Sequence, residues 1–235
     1  MSSVDDRVRQ SVLVHRVAIA SLSCFVLTVV LEHLLVPELE PARHTISEYA
    51  NARGAAGALM VAGFLIWAAS LATTALLILR APLQGHAGVM RALRTVLFAL
   101  LLVAAVGAMV VALFPTQTAA GLLPAESLES NTQRLHALGS DLVQLCFYPA
   151  VLLSLILPNP RWFSIVAVAV LVIAVTVVPA FAVLDVEASG ARQRVQLAAG
   201  CGWQFALLAA LRSAAAADTR SKAAAEKGPT PCTRE

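Results

Sequence analysis

The sequence predicts an all-α membrane protein, a bundle of six transmembrane helices with both termini in the cytoplasm. Three observations predict this class. Hydrophobic residues make up 59% of the 235-residue chain and charged residues only 13%, whereas charged residues reach about a quarter in soluble domains. Six apolar stretches approach the roughly 20 residues that a helix needs to cross a bilayer. Basic residues also divide unevenly between alternate connecting segments.

The predicted spans cover residues 16–36, 55–79, 93–114, 135–157, 162–184 and 195–212. Arginines precede the first apolar run, as in a signal peptide, but no small-residue cleavage site follows it, so we expect a retained helix. Pro115 ends the third span and Pro179 is expected to kink the fifth. The chain then divides into a cytoplasmic segment (1–15), one integral membrane domain (16–212) and a disordered cytoplasmic tail (213–235).

The orientation follows from the distribution of Lys and Arg, because positively charged loops stay in the cytoplasm. With the N-terminus inside, twelve of the 17 basic residues fall on the cytoplasmic side. The other side holds only Arg43, Arg53, Arg134, Arg192 and Arg194. The net charge of +3 comes mostly from the inner residues. Without a basic arm interleaved with aromatic residues, this charge predicts contact with membrane lipids and no nucleic-acid partner.

The first outer loop carries the densest polar run in the chain, residues 43–51. Thr45 and Glu48 fit a capping box, so the run is expected to form a short helix at the membrane surface. Capping leaves Arg43, His44, Ser47 and Asn51 unexplained. A solvated loop and a binding loop both remain open interpretations, and loops on a rigid scaffold often carry binding groups.

The fourth span has a polar stripe near its outer end. His136, Ser140 and Gln144 are four residues apart and share a helical face, with Asp141 on the flank. Asp141 is expected roughly 10 Å below the outer end at about 1.5 Å per residue. An ionisable group at that depth indicates a functional site, although polar groups also join neighbouring helices.

A second stripe opens the sixth span, where Arg192, Gln196, Gly200 and Gln204 recur every four residues. Arg192 or Arg194 is within reach of a carboxylate such as Asp141, Glu48 or Asp185. A ligand-binding face and a packing seam with snorkelling arginines both fit this pattern.

The chain resembles the multi-pass membrane family catalogued as domain of unknown function 998, over about residues 15–212. The resemblance rests on Arg-His-Thr-Ile-Ser-Glu-Tyr-Ala at 43–50, Phe-Pro-Thr at 114–116, Leu-His-Ala-Leu-Gly-Ser at 135–140 and Gly-Ala-Arg-Gln-Arg at 190–194. It implies a prokaryotic integral membrane protein, here of the bacterial inner membrane, with no generally assigned activity. Family members often have Asp after Phe-Pro-Thr, whereas this chain has Gln117.

Three functions compete. In the first, an outward-facing polar cleft binds or transports a small molecule or a lipid headgroup. In the second, the same face docks a partner, as in a scaffold or accessory protein. In the third, histidine and carboxylate ligands hold zinc for intramembrane hydrolysis of a lipid ester or amide. The candidate metal ligands are His33, His44, His136 and Asp141.

The candidate site residues are expected to meet on the outer side. The predicted cleft comprises Arg43, His44, Ser47, Glu48, His136, Ser140, Asp141 and Arg194. Of these, we expect His44, Glu48, His136, Asp141 and Arg194 to converge in one pocket.

Overall fold

The computed structural model describes residues 3–81, 87–117, 130–177, 179–180, 183 and 188–226. These parts of the chain are helical and contain no strand. The α-helices are α1 (Ser3–Leu35), α2 (Ala55–Arg80), α3 (Ala87–Leu113), α4 (Asn131–Ser154), α5 (Arg161–Val172) and α6 (Ser189–Glu226). A 3-10 helix (Ile46–Asn51) lies between α1 and α2, and a π-helical turn (Ile173–Val177) extends α5.

Four of the described helices contain a segment long and apolar enough to cross a membrane. These segments are Gln10–Leu35, Ala55–Arg80, Gly88–Leu113 and Asn131–Ser154. The fifth predicted span is a shorter apolar helix, Arg161–Val177. The predicted multi-pass, all-helical class is thereby confirmed, while the count of six spans and the orientation of the termini stay predictions.

The surface of the bundle is apolar along the spanning helices. Leu34, Leu145 and Ile165 are at least 70% exposed. In water this exposure would be costly, at roughly 25 cal/mol per Å². The same exposure carries no such cost for side chains that contact lipid acyl chains.

Consecutive helices from α1 to α4 pack against their neighbours in the chain. The crossing of α3 and α4 depends on Gly107 and Gly139. A Cβ atom on Gly107 would lie 2.6 Å from the Gly139 carbonyl oxygen, and a Cβ on Gly139 would lie 2.8 Å from that of Gly107. Both distances are shorter than van der Waals contact, so only glycine allows these two backbones to approach so closely.

α6 packs against α1, α2 and α5. The fully buried Gln204 donates from Nε2 to the hydroxyls of Ser70 (3.0 Å) and Thr74 (3.1 Å) on α2. Ser70 in turn donates to the Ala18 carbonyl of α1 at 2.9 Å. A chain of buried hydrogen bonds thus joins three helices, as is common in membrane bundles.

The helix ends differ most from the predicted spans near the two termini of the chain. α1 begins well before residue 16, and α6 continues through Glu226 into the segment predicted as a disordered tail. This extension is rich in Ala, the residue with the highest helix propensity. The end of the predicted tail, residues 227–235, lies outside the described residues.

Candidate functional site

The polar run after α1 forms the predicted short helix. Thr45 and Glu48 form the expected capping box, in which the Thr45 amide donates to Glu48 Oε1 at 3.2 Å. The helix is 3-10 in type, and Ile46 to Ala50 are all buried. Ser47 and Glu48 are each only 4% exposed. The segment is therefore part of the packed structure, and not a solvated loop.

Glu48 also holds the residue that precedes the capping box. His44 Nδ1 lies 2.7 Å from Glu48 Oε2, and the Thr45 hydroxyl donates to Glu48 Oε1 at 2.9 Å. An ionised carboxylate only accepts hydrogen bonds, so His44 carries a proton on Nδ1. Both oxygens of this buried carboxylate are therefore used within the segment.

Arg194, near the start of α6, connects this segment to α1. Its guanidinium donates from Nε to His33 Nε2 (2.8 Å), from Nη1 to the His44 carbonyl (2.7 Å) and from Nη2 to the Tyr49 hydroxyl (3.2 Å). It also lies over the Tyr49 ring, 5.7 Å from the centroid. We call Arg194, His33, His44, Glu48 and Tyr49 the outer cluster.

The tautomer of His33 follows from its contacts. Nδ1 lies 2.5 Å from the Val29 carbonyl, which only accepts, so Nδ1 bears the proton. Nε2 then accepts from Arg194. With both ring nitrogens used, His33 has no lone pair left for a metal in this arrangement.

The start of α6 docks closely against the backbone before the 3-10 helix. The Ala191 amide donates to the Ala42 carbonyl (2.9 Å), and the Ser189 hydroxyl donates to the Arg43 carbonyl (2.7 Å). A Cβ on Gly190 would lie 2.5 Å from the Pro41 carbonyl oxygen and still closer to that of His44. Glycine is therefore required at residue 190 for this contact.

Glu32 is a buried acid beside the outer cluster. It is 1% exposed, and neither carboxylate oxygen has a hydrogen-bond partner among the described residues. Burial raises the pKa of the Tyr49 phenol, and the carboxylates of Glu32 and Glu48 raise it further, whereas Arg194 opposes them. Tyr49 thus stays a neutral hydroxyl that donates to the Leu39 carbonyl at 2.9 Å.

A cavity of about 110 Å³ lies between α4 and α6, beneath the 3-10 helix. Its polar lining consists of Ser47, Ser140, Gln144, Tyr148, Gln193 and Gln196. Its apolar lining includes Trp67, Phe147 and Gly200. Gln193 accepts a hydrogen bond from the Ile46 amide, and Gln196 donates to the Tyr148 hydroxyl at 2.8 Å. The cavity therefore combines amide and hydroxyl groups with aromatic walls.

His136 lies apart from the outer cluster. Its Nδ1 donates to the Phe114 carbonyl at 2.8 Å, which lies at the end of α3 next to Pro115. Gln133 accepts from the Gln117 amide (2.7 Å) and the Thr116 hydroxyl (3.3 Å). The beginning of α4 therefore caps the end of α3, where the last carbonyl groups lack helical partners, and it also binds the Gln117 amide beyond the helix.

Gln117 takes part in this cap. Its side-chain oxygen accepts a hydrogen bond from the Ser130 hydroxyl at 2.6 Å, and Ser130 is the N-cap of α4. The residue at position 117 acts here as an acceptor. An aspartate carboxylate is also an acceptor.

Asp141 is exposed on α4 and makes no hydrogen bond or ion pair within the described parts of the chain. The structure therefore brings together His44, Glu48 and Arg194, places Ser47 and Ser140 in the neighbouring cavity, and leaves His136 and Asp141 in other surroundings. Arg43 lies at the surface, 3.9 Å from Glu40. Among the described residues, no three His, Cys, Asp or Glu side chains lie close enough to hold a metal ion.

Comparison with known proteins identifies the family. A family model described as "Protein of unknown function (DUF998)" matches residues 18–210. The chain belongs to this family. No curated protein and no solved structure matches the DUF998 chain. The matched range includes the outer cluster, the cavity and the α3–α4 cap.

The four motifs that carry the DUF998 resemblance form two pairs in space. The 43–50 run binds the 190–194 run through Arg194 and Gly190. The 114–116 run binds the 135–140 run through His136. The cavity lies between these pairs, since Ser47 and Gln193 line one side and Ser140 the other.

Glu32 and Tyr49 lie at the site but are not among its predicted residues. A signal for Glu32 was available, because it stands within an apolar run where a carboxylate is costly. Tyr49 and the cavity amide Gln193 gave no such signal, because their contacts depend on residues far apart in the chain.

Proposed function

We propose that this DUF998 protein binds a small uncharged polar molecule, or the uncharged part of a lipid headgroup, in the cavity between α4 and α6. One observation carries the proposal. Four amide and hydroxyl side chains line a single cavity, and the described residues use only part of their hydrogen-bonding capacity. They are Ser140, Gln144, Gln193 and Gln196.

The unused capacity can be assigned group by group within the described structure. Ser140 and Gln144 form no side-chain hydrogen bond there, Gln193 uses only its oxygen, and Gln196 uses only its nitrogen. Gln144 is exposed, whereas Ser140, Gln193 and Gln196 are half-buried. Binding sites use a few such polar groups within a mostly apolar lining to orient a ligand. A ligand offering both donors and acceptors satisfies all four.

The lining also argues for the chemical class of ligand. Its described residues include no charged side chain, while Trp67, Phe147 and Tyr148 supply aromatic surface. The volume of about 110 Å³ is below the roughly 150 Å³ of a cavity that holds benzene. A hydroxylated or amide-bearing headgroup fragment fits these walls, with the rest of the molecule extending toward lipid or the outer surface.

The outer cluster then has a positioning role. Arg194 and Glu48 fix the 3-10 helix, whose Ile46 and Ser47 line the cavity. The adjacent Gln193 binds the Ile46 amide and lines the cavity itself. Rigid support of this kind keeps a binding site in its productive geometry.

The proposal places the cavity in the outer half of a six-span bundle in the bacterial inner membrane, with both termini cytoplasmic. The excess of basic residues on the predicted inner side supports this orientation. Ligand binding is the first step of both recognition and transport. The proposed cavity is therefore compatible with a receptor and with a transporter.

The test compares substitutions at adjacent positions of α4. Wild type, Ser140→Leu and Asp141→Leu are extracted in native-membrane nanodiscs, and retained small molecules and lipids are quantified by mass spectrometry. Leu at 140 fills the cavity, whereas position 141 does not line it. We expect Ser140→Leu to reduce the retained ligand at least about tenfold, equivalent to about 1.4 kcal/mol, and Asp141→Leu to retain it.

Thermal unfolding of all three proteins establishes that each is folded. Loss of ligand in Asp141→Leu with retention in Ser140→Leu would move the site away from the cavity. Equal retention in all three proteins would refute the proposal and favour the scaffold hypothesis.

A further inference from the structure

A second cavity lies at the opposite end of the bundle from the outer cluster. Its volume is about 310 Å³, and it is formed where the beginning of α1, the end of α2 and the distal half of α6 meet. Its polar lining consists of Ser11, His15, Arg16, Arg80, Arg212 and Thr219. We call it the basic cavity. The charge distribution assigns this end to the cytoplasm.

The three arginines come from three different helices, yet they border the same space. Arg16, Arg80 and Arg212 are exposed, and none forms a side-chain hydrogen bond or ion pair with another described residue. Among the described lining residues there is no Asp or Glu to balance them. Arg94 differs, because it is buried and donates to the Ala81 carbonyl at 2.5 Å. Three positive charges therefore border one cavity without an acidic partner among the described side chains.

His15 gives an independent indication of a polar ligand. It lines the same cavity and is only 8% exposed, and its Nε2 has no hydrogen-bond partner within the described structure. A buried polar group without a partner is rare and usually indicates a missing water, ion or ligand. Ser11 and Thr219 add two hydroxyls to the same lining.

The remaining walls are apolar. Val12, Ile19, Leu77 and Leu211 line the cavity beside the arginines. Val12 is 47% exposed, so the apolar side continues to the lipid-facing surface of α1. A ligand that matches both kinds of wall carries a phosphate for the arginines and an acyl chain for the apolar surface.

We propose that the basic cavity binds the phosphate of an anionic membrane lipid, with its acyl chains along α1 and α2. Guanidinium groups match phosphate oxygens in geometry and charge. Basic pockets between transmembrane helices on the cytoplasmic side are suited to anionic headgroups. This site is separate from the cavity between α4 and α6 and does not depend on which ligand binds there.

The experiment uses the full-length protein in nanodiscs of phosphatidylcholine alone or of phosphatidylcholine with phosphatidylglycerol. The fraction of protein that retains phosphatidylglycerol is measured by native mass spectrometry. The unfolding temperature of the protein is measured in both kinds of nanodisc. We expect phosphatidylglycerol to be retained and to raise the unfolding temperature. We expect retention of phosphatidylglycerol to weaken about fivefold in each of the variants Arg16→Gln, Arg80→Gln and Arg212→Gln. This factor corresponds to about 1 kcal/mol for each arginine near the membrane surface.

Arg91→Gln is the matched control. It removes an exposed arginine from the beginning of α3, at the same end of the bundle, but Arg91 does not line the cavity. Retention within about twofold of wild type is expected. All variants should unfold at the wild-type temperature in phosphatidylcholine alone, because the replaced side chains are exposed.

A third arm adds inorganic phosphate to the protein in phosphatidylcholine alone. If inorganic phosphate stabilises the protein and this effect requires the three arginines, the site takes a soluble phosphate and the lipid assignment is overturned. Equal losses for Arg91→Gln and the cavity variants would also overturn it, because retention would then reflect only total charge. If a variant fails to fold, the wild-type protein provides the test. Displacement of its phosphatidylglycerol by added phosphatidylcholine would show that the cavity does not select the anionic lipid, whereas continued retention of phosphatidylglycerol supports the proposal.

Discussion

Arg194 joins three parts of the chain through all three nitrogens of its guanidinium. Nε reaches His33 on α1, while Nη1 and Nη2 reach the His44 carbonyl and the Tyr49 hydroxyl. Lysine has one nitrogen and no planar fork, so it does not reproduce contacts in three directions. Arg194 therefore determines how the 3-10 helix is held against α1 and α6.

Arg194→Lys is expected to destabilise the protein by about 2 kcal/mol, because at least two hydrogen bonds are lost at about 1 kcal/mol each. Arg192→Lys is the control, since Arg192 forms no such contacts in the described structure. Thermal unfolding in nanodiscs measures both. Equal effects of the two substitutions would show that the guanidinium contacts contribute little.

Glu32 has a buried carboxyl group without a hydrogen-bond partner among the described residues. Ionising a carboxyl group there is costly, and the nearly isosteric amide cannot be ionised. Glu32→Gln should therefore leave stability unchanged or increase it, by up to about 2 kcal/mol. Glu38→Gln, at an exposed position, should have no effect. A clear loss of stability in Glu32→Gln would mean that the carboxylate has a binding partner in the membrane.

At the scale of elements, the packing of α3 against α4 determines the α4 wall of the cavity between α4 and α6. The helices approach at Gly107 and Gly139, and the start of α4 caps the end of α3 through His136. Ser140 follows directly after the glycine contact. Its position in the cavity therefore depends on how closely the two backbones approach.

Gly139→Ala should destabilise the protein by about 1–3 kcal/mol, because the new Cβ overlaps backbone atoms that shift only with the whole helix. Gly88→Ala on α3 is the control, since no atom of a described residue beyond its own helical turn lies within 4 Å of its Cβ position. That substitution should be neutral or stabilising by up to about 1 kcal/mol, from helix propensity. If both variants unfold at the same temperature, the close approach of α3 and α4 does not exist.

Patterns within single elements were predictable from the sequence. The apolar runs indicated α1 to α4, and Thr45 with Glu48 indicated the short helix before α2. Contacts between elements were not predictable, because they join residues far apart in the chain. His33 and Arg194, for example, are 161 residues apart. The helical face of His136 predicts a place in the cleft. Its Nδ1 instead donates to the Phe114 carbonyl, a contact that sequence periodicity does not reveal.

At the scale of the whole molecule, the two cavities with polar linings lie toward opposite ends of an apolar bundle. One end holds the outer cluster and the cavity between α4 and α6, and the other holds the basic cavity. Lipid-facing side chains cover the surface between them. This division fits a membrane protein that recognises different chemistry on each side.

The predicted orientation can be tested by labelling with a membrane-impermeant maleimide, after replacement of the four native cysteines. Glu38→Cys is expected to react in intact cells, and Arg91→Cys only after lysis, because these positions belong to opposite ends of the bundle. Labelling in the reverse pattern would invert the orientation and place the basic cavity outside.

An experimental density map of the protein purified in native lipid would show directly whether the cavity between α4 and α6 binds a ligand. We expect density for a bound molecule in this cavity, within hydrogen-bonding distance of Ser140, Gln144, Gln193 or Gln196. A cavity closed by direct hydrogen bonds among these side chains, or filled only by an acyl chain, would contradict it.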